Sequence, residues 1–313
     1  MSPSSCPIPA AAPTAARSDA DTVPVRGPAG ALLQDLLHSR SALIGGVFLA
    51  LMIVGCFIIP HLWGLNATAT DLLTRFVPPI WAEGGVWAHP LGTDNLGRDV
   101  LARILAGGQV SLLVAFLTVL VALTVGLVLG TLAGYFGGWV DSLIMRIGDL
   151  FLAYPFMLLT ISVIAILGPS LTIMILVLAL SDWVTYARTV RGTVLSVKER
   201  EYVAAARSIG TGDVEILHRH ILPNILSPVL VLGTVRAANY IIWESGLSFL
   251  GMGVPPPTPT WGMMLSEGRD YILDAWWLAT LPGIAIMITI LSVNLLGDGL
   301  RDALDPRLKE TRR

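Results

Sequence analysis

The sequence predicts an all-α integral membrane protein with six transmembrane helices. Of its 313 residues, 54% are hydrophobic and only 13% are charged, which lies outside the usual balance of soluble globular domains. Six apolar stretches each approach the roughly 20 residues that a helix needs to cross a bilayer. They are too continuously apolar for the alternating strands of a membrane barrel. These stretches are residues 42–62, 109–135, 149–167, 171–188, 225–249 and 276–297.

The chain divides into four predicted regions. Residues 1–40 begin with a stretch rich in Pro, Ala and Ser, which predicts a disordered cytosolic tail. The first apolar run is as long as a full span, so we expect it to be retained and not cleaved as a signal peptide. Residues 41–108 contain the first transmembrane helix and an outer segment. Residues 109–300 form the core transmembrane domain with a cytosolic loop at 189–222, and residues 301–313 form a second cytosolic tail.

Lysine and arginine residues predict the orientation, because cytoplasmic loops of membrane proteins carry an excess of positive charge. With the N-terminus in the cytosol, the cytosolic segments hold 15 of these residues and the outer loops hold 4, with Arg236 inside a span. Both termini are therefore predicted to face the cytosol. The segment between spans four and five is predicted to lie there too.

That segment, EYVAAARSIGTGDVEILHRHILPN, covers residues 201–224 and is charged and alanine-rich. Good helix formers begin at Glu201, and Gly210 is the residue type that most readily adopts the left-handed conformation ending a helix. Asp213 is expected to N-cap a second short helix that stops before Pro223. Helices this short are marginal in water, so the pair is expected to need a docking partner. An ordinary amphipathic interfacial loop is the alternative.

The segment resembles the cytoplasmic coupling motif of binding-protein-dependent ABC import permeases, E-A-A, three residues, G, nine residues, I-x-L-P. Two positions depart from it, with Ala204 in place of Glu and His220 in place of Ile. Glu201, three residues before Ala204, is a candidate substitute for the missing Glu. The resemblance implies that the following residues couple the chain to an ATPase: Glu201, Ala205, Ala206, Gly210, Leu222 and Pro223.

Three further stretches resemble the second, C-type permease of dipeptide and oligopeptide systems. They are HPLGTDNLGRDVLARILAGGQVSL (89–112), ESGLSFLGMGVPPPTPTWG (244–262) and NLLGDGLRDALDPR (294–307). The resemblance implies the type I ABC importer permease fold in the cytoplasmic (inner) membrane of a bacterium. It implies ATP-driven uptake of dipeptides, oligopeptides or a related small solute by alternating access. It also implies a heterodimer with a second homologous permease subunit, one or two ATPase subunits and an extracytoplasmic peptide-binding protein.

No nucleotide-binding or catalytic motif is found in the sequence. Its two lysines, Lys198 and Lys309, do not belong to a G-x-x-x-x-G-K-[ST] loop. We therefore expect no cofactor in this chain, with ATP and Mg bound by partner subunits. The five histidines lack metal-ligand spacing, and a net charge of -2 gives no support for a nucleic-acid partner.

Two other classes of protein are weighed against the permease. An ion-coupled secondary transporter is the alternative function, but no inverted repeat or interrupted helix pair is found among the six spans. An intramembrane hydrolase would need a nucleophile and base within the spans, and the sequence offers no such set.

Arg236 and Glu244 are ionisable residues within predicted spans, where such groups indicate functional sites. Eight residues separate them, so they share a helix face about 12 Å apart along the axis, too far for a direct ion pair. Two interpretations remain open: they line a translocation pathway, or they bond to a neighbouring subunit or to backbone carbonyls. Asp182 is expected near the cytosolic end of its span, in a structural role.

Two features of the outer side have competing interpretations. The piece GTDNLGRD, with Asp94, is either a surface for a substrate-delivery protein or a hydrogen-bonded turn that orients span two, and we favour the turn. Trp261, Trp276 and Trp277 are expected in the aromatic belt at the membrane–water boundary.

Overall fold

The computed structural model describes residues 39–304 of the chain. The tails predicted for residues 1–40 and 301–313 therefore lie largely outside the described residues. Within that range the regular structure is helical, with one isolated β-bridge between Thr93 and Asp99. The helices are α1 (Arg40–Phe57), α2 (Ile59–Leu62), α3 (Val100–Phe136), α4 (Gly138–Leu152), α5 (Phe156–Leu167), α6 (Leu171–Lys198), α7 (Glu201–Ser208), α8 (Asp213–Ile216), α9 (Leu222–Phe249), α10 (Trp261–Arg269) and α11 (Trp277–Leu304).

The predicted all-α membrane architecture is confirmed. Five helical stretches are long and apolar enough to cross a membrane: α1 with α2, α3, α6, α8 through α9, and α11. The predicted third span, residues 149–167, is not one continuous helix, because α4 ends at Leu152 and α5 begins at Phe156 at an angle of 84°. A sixth span is formed only if α4 and α5 are taken together. Pro155 lies at this bend with a non-helical ψ of 126°, and proline both lacks an N–H donor and disfavours a helical residue before it.

Helix α6 is longer than the span predicted from hydropathy. It continues to Lys198, so residues 189–198 are helical and not part of a loop, and Asp182 lies near the middle of the helix. The predicted span ended at Arg188, where arginines become frequent, whereas the structure pairs Arg188 and Arg191 with carboxylates of α4. Arg191 Nε, for example, donates to Asp141 Oδ1 on α4 at 2.5 Å.

Helix α3 also begins earlier than predicted, at Val100 instead of residue 109. The carboxylate of Asp99 caps it by accepting a hydrogen bond from the Ala102 backbone N–H at 2.8 Å. His89 Nδ1 lies 2.8 Å from the other carboxylate oxygen of Asp99. The predicted outer segment therefore contains the first turns of this helix.

Glycines bring α3 and α6 into close contact. Gly126, Gly130 and Gly134 recur every fourth residue on one face of α3. A Cβ atom at Gly126 would lie 2.3 Å from the Cβ of Tyr186, and one at Gly130 would lie 2.5 Å from the Ala187 carbonyl oxygen. Small residues at this spacing let membrane helices pack closely without a hydrophobic driving force. This contact forms the centre of the helix bundle.

The turn around Asp94 holds the outer side of the molecule together. Its Oδ1 accepts from the backbone N–H groups of Leu96 at 2.8 Å and Arg98 at 2.9 Å, and its Oδ2 accepts from the Arg98 side chain at 2.6 Å and from Arg103. Arg103 also donates to Glu267 on α10 at 2.7 Å. Burial opposes ionisation of Asp94, but the Arg98 N–H and the Arg103 guanidinium outweigh it and lower the pKa of this carboxyl. These contacts favour the interpretation as a structural turn.

The aromatic-belt prediction is wrong for two of the three tryptophans. Trp261 is fully buried and donates its indole N–H to the Ile104 carbonyl at 2.9 Å. Trp277 is buried and donates to the Thr93 carbonyl at 3.2 Å. Both side chains therefore pack inside the protein, while Trp276 keeps 41% of its surface exposed. Sequence position alone did not distinguish interfacial from packed indoles.

Candidate coupling site

The coupling segment, residues 201–223, is two short helices joined by a sharp turn. Helix α7 ends at Ser208, and Gly210 adopts a φ of +84°, as the sequence predicted. Asp213 is the first residue of α8, and Gly212 is the N-cap, so the predicted capping role of Asp213 is wrong. The Asp213 carboxylate is used elsewhere, because it accepts a hydrogen bond from the Tyr135 hydroxyl at 2.6 Å.

Tyr135, in the last turn of α3, fixes the coupling segment to the membrane domain. Its hydroxyl reaches Asp213, and its backbone carbonyl accepts from Lys198 Nζ at 2.7 Å. The Arg207 guanidinium lies over its ring, 5.9 Å from the centroid. Val203 and the face of the segment around it are buried against the bundle. Short helices that would be marginal alone are therefore held against the membrane domain through Tyr135 and the buried face around Val203.

The turn of the segment carries two exposed apolar side chains. Ile209 and Val214, on either side of Gly210, keep 84% and 81% of their surface accessible. Large exposed apolar side chains grouped at one site are typical of protein-interaction surfaces. Four of the six motif residues are exposed: Glu201, Ala205, Gly210 and Pro223. In contrast, Ala206 is buried and Leu222 is half-buried. The two motif alanines therefore do not share one outward face.

Helix α8 runs into the membrane helix α9 without a loop. A π-helical turn, Leu217–Ile221, connects them. It precedes Pro223, which has no N–H to donate within the helix. The Asn224 side chain donates to the His220 carbonyl at 2.7 Å and fills part of this gap. Because the connection is continuous, a displacement of α8 would be passed on to α9.

Arg236 has a partner that the sequence did not indicate. Its Nη1 lies 3.5 Å from Oδ1 of Asp182 on α6. The other carboxylate oxygen of Asp182 accepts from the Tyr240 hydroxyl at 2.8 Å. An ion pair within the same chain was neither of the two interpretations considered for Arg236. Packing of α6 against α9 brings Asp182 beside Arg236 and makes this pair available.

Glu244 lies in a cluster of hydroxyl groups at the outer end of α9. The carboxylate is fully buried and accepts from Ser111 Oγ at 2.8 Å and Ser248 Oγ at 2.7 Å. Ser245 Oγ lies 3.4 Å away. Since Ser111 belongs to α3, these hydrogen bonds join α3 to α9. In this conformation the carboxylate faces packed protein and no open space.

Only some of the residues that hold the coupling segment and the buried charges in place could be predicted from the sequence. The every-fourth glycines of α3 are a known packing signal and could have been noticed. Tyr135, Ser111 and Tyr240 carry no such signal, because tyrosine and serine are common in membrane helices and only their partners give them a role. Among residues 39–304 there is also no group of His, Cys, Asp or Glu side chains that could hold a metal ion.

Comparison with known proteins shows the family. Residues 126–310, more than half of the chain, match the family described as "Binding-protein-dependent transport system inner membrane component". A di/tripeptide transport system permease protein from Pseudomonas aeruginosa is 41% identical over 88% of this chain and 91% of its own length. A glutathione transport system permease protein from Pectobacterium atrosepticum is 42% identical over 91% of this chain and 93% of its own length. The dipeptide transport system permease protein of Escherichia coli is 42% identical over 89% and 94%.

A solved structure of the MetNI methionine ABC transporter, in an inward-facing conformation, has the same fold. The TM-score is 0.52 at 17% identity, over 65% of this chain and 96% of that one. The chain therefore belongs to the inner-membrane permeases of binding-protein-dependent ABC importers, with the type I fold predicted. It is a multi-pass protein of the bacterial cytoplasmic membrane that works with ATPase subunits and a substrate-binding protein. The ion-coupled secondary transporter is not supported.

Proposed function

We propose that this permease moves dipeptides or oligopeptides into the cell. Support comes from the names of its relatives, which transport dipeptides, di- and tripeptides, and glutathione. All of these are short peptides or peptide derivatives, although their permeases differ at more than half of their positions from this chain. The shared chemistry of the solutes is therefore the best guide to the substrate class.

The proposed assembly is a heterodimer with a second, homologous permease subunit. One or two ATPase subunits would bind on the cytosolic side and carry both ATP and Mg, and an extracytoplasmic peptide-binding protein would deliver the substrate. The lipid bilayer surrounds the remaining surface, in agreement with the exposed apolar side chains along α1, such as Leu51 and Phe48.

We further propose that the coupling segment docks in a groove of the ATPase. The observation that carries this proposal is its exposed apolar tip, Ile209 and Val214, on a segment that is tied to α3 and continuous with α9. Closure of two ATPases would displace the segment and tilt the helices attached to it.

The motif residues have distinct roles in this proposal. Gly210 sets the angle between α7 and α8, and Leu222 with Pro223 forms the joint to α9. Ala205 permits close approach of the ATPase, and Glu201 adds a negative charge in the first turn of α7. Ala206 acts on the inner side, where its small side chain lets α7 lie against the bundle.

Arg236 and Glu244 are proposed to belong to the translocation pathway in different ways. Arg236 lies in the middle of a span and 22% of its side chain is exposed, so part of this side chain lies at the surface of this subunit. A charged group at this depth needs water or a polar partner. Glu244 is fully buried, and it would reach the pathway only when the outer ends of α3 and α9 separate.

Replacement of Gly210 by valine tests the coupling role. A β-branched residue is strained at a φ of +84°, although nothing lies within 4 Å of the added Cβ. The expected result in the reconstituted transporter is continued ATP hydrolysis with loss of peptide uptake. Gly212→Val is the matched control, because Gly212 has a φ of -68° and equally open surroundings. Normal uptake by the Gly210→Val transporter would refute the proposal.

The substrate is tested by purifying the complete transporter and measuring which solute stimulates its ATP hydrolysis in the presence of its binding protein. A series of a dipeptide, a tripeptide, glutathione and a nickel chelate covers the candidate classes. Stimulation by the short peptides is expected. Stimulation by the chelate alone would contradict the peptide assignment and leave the coupling proposal intact.

A further inference from the structure

Helices α6 and α9 are the two membrane helices that flank the coupling segment, and one buried carboxylate joins them. Asp182 on α6 contacts α9 at two positions, through Arg236 at 3.5 Å and through the Tyr240 hydroxyl at 2.8 Å. Arg236 and Tyr240 are four residues apart, so they lie on one face of α9. Thr185 adds a hydrogen bond to Asp182 from within α6, at 2.8 Å. The carboxylate is thus held in place by hydrogen-bond and charge partners on both helices.

The contact lies at a similar distance from the coupling segment along each helix. Asp182 precedes Lys198 by 16 residues, or about 24 Å of helix at 1.5 Å per residue. Arg236 follows Leu222 by 14 residues, or about 21 Å. A force applied to the coupling segment would act on the cytosolic ends of both helices. The contact between Asp182 and Arg236 connects the same two helices further along, within the membrane domain.

Charge makes the contact resistant to separation. Only 7% of the Asp182 side chain is exposed, and sliding α6 along α9 would leave this carboxylate without its cation. Removing one partner of a buried ion pair is far more unfavourable than losing an exposed pair, because the remaining charge stays desolvated. The apolar contacts nearby have no such directional preference and would permit small shifts.

We propose that Asp182 is a positioning residue that clamps α6 to α9, so that both helices and the coupling segment tilt as one rigid body during transport. The proposal rests on the coupling function proposed above and adds a mechanical requirement to it. Without the clamp, movement of the coupling segment would spread α6 from α9 and would not tilt them together.

The test measures distances between spin labels in the complete transporter with its ATPases and binding protein. Labels replace Leu195 on α6 and Leu226 on α9, both exposed near the cytosolic side, after replacement of Cys6 and Cys56. A second pair, the exposed Ser208 at the end of α7 with the exposed outer residue Leu273, reports movement of the coupling segment without altering its apolar tip. Each pair is measured without nucleotide and after trapping with ATP and vanadate. We expect the second distance to change and the distance from α6 to α9 to stay constant.

Asp182→Asn removes the charge at nearly constant size. It is expected to broaden the α6–α9 distances in the trapped state and to lower uptake of radiolabelled alanyl-alanine per ATP by about tenfold, within the usual range of coupling between sites. The matched control is Asp149→Asn, which breaks an exposed ion pair with Arg188 on α6. Exposed pairs contribute little, so its distances and coupling should match the unmodified transporter. If the Asp182 variant does not accumulate, Tyr240→Phe is expected to give a smaller broadening in the same direction.

Two outcomes separate the clamp from the coupling function. A changed α6–α9 distance in the unmodified transporter, or no broadening in the Asp182 and Tyr240 variants, would overturn the clamp alone. If the distance from Ser208 to Leu273 does not respond to nucleotide, the coupling segment does not move, and the coupling function and the clamp both fail.

Discussion

Close packing of α3 on α6 makes a quantitative prediction for Gly130→Ala. A Cβ at this position would lie 2.5 Å from the Ala187 carbonyl oxygen, 2.8 Å from the Val190 Cβ and 3.0 Å from the Ala187 Cα. Two of these atoms belong to the backbone of α6, so rotation of a side chain cannot relieve the overlap. The helices must move apart instead.

The size of the effect follows from the geometry. Atoms in ordinary contact are about 3.5 Å apart, so the helices must separate locally by about 1 Å. Overpacking of this kind typically costs about 1–3 kcal/mol, even though alanine is the better helix former. The separation would also weaken the contacts of Gly126 and Gly134 with α6. These two glycines pack just as closely, because a Cβ atom at either position would lie within 3.0 Å of an atom of α6. The expected outcome is a less stable bundle.

Thermal unfolding of the purified transporter in mild detergent measures this effect. Gly192→Ala is the control, because Gly192 is a helical glycine of α6 with nothing within 4 Å of an added Cβ. Its melting temperature should be unchanged or slightly higher, since alanine stabilises an exposed helix. A melting temperature for Gly130→Ala equal to that of the control would refute the idea that the glycines are required for contact between α3 and α6.

Two other predictions concern the topology and the outer turn. A cysteine introduced at Gly210, in a chain without Cys6 and Cys56, should react only with reagents that reach the cytosol; labelling from outside intact cells would overturn the orientation. The lowered pKa of Asp94 stabilises the folded protein above the ordinary carboxyl pKa of about 4, and this contribution is lost as the pH falls through the lowered value. The melting temperature of Asp94→Asn should therefore lie below that of the unmodified transporter at pH 7 and approach it in acid, whereas Asp270→Asn, at an exposed carboxylate, should match the unmodified transporter throughout. A pH-independent difference for Asp94→Asn would contradict this assignment.

The turn at Gly210 and five of the six spans were predictable because each depends on short-range properties of the chain. A run of apolar residues needs a bilayer wherever its neighbours lie, and a glycine after a short helix readily adopts positive φ. The ends of α3 and α6 were predicted less well. The fourth span was predicted to end at Arg188, although the charge of this residue is paired with Asp149 on another helix and α6 continues to Lys198.

The amino-acid sequence by itself determined the class of fold, the predicted orientation and the position of the coupling segment, since composition and spacing are local along the chain. Only the tertiary structure decided the partners of the buried polar groups. Asp182 precedes Arg236 by 54 residues and Ser111 precedes Glu244 by 133, and nothing local to any of these residues specifies its partner. Each contact arises from helix packing, which brings a costly buried group to the neighbour that satisfies it.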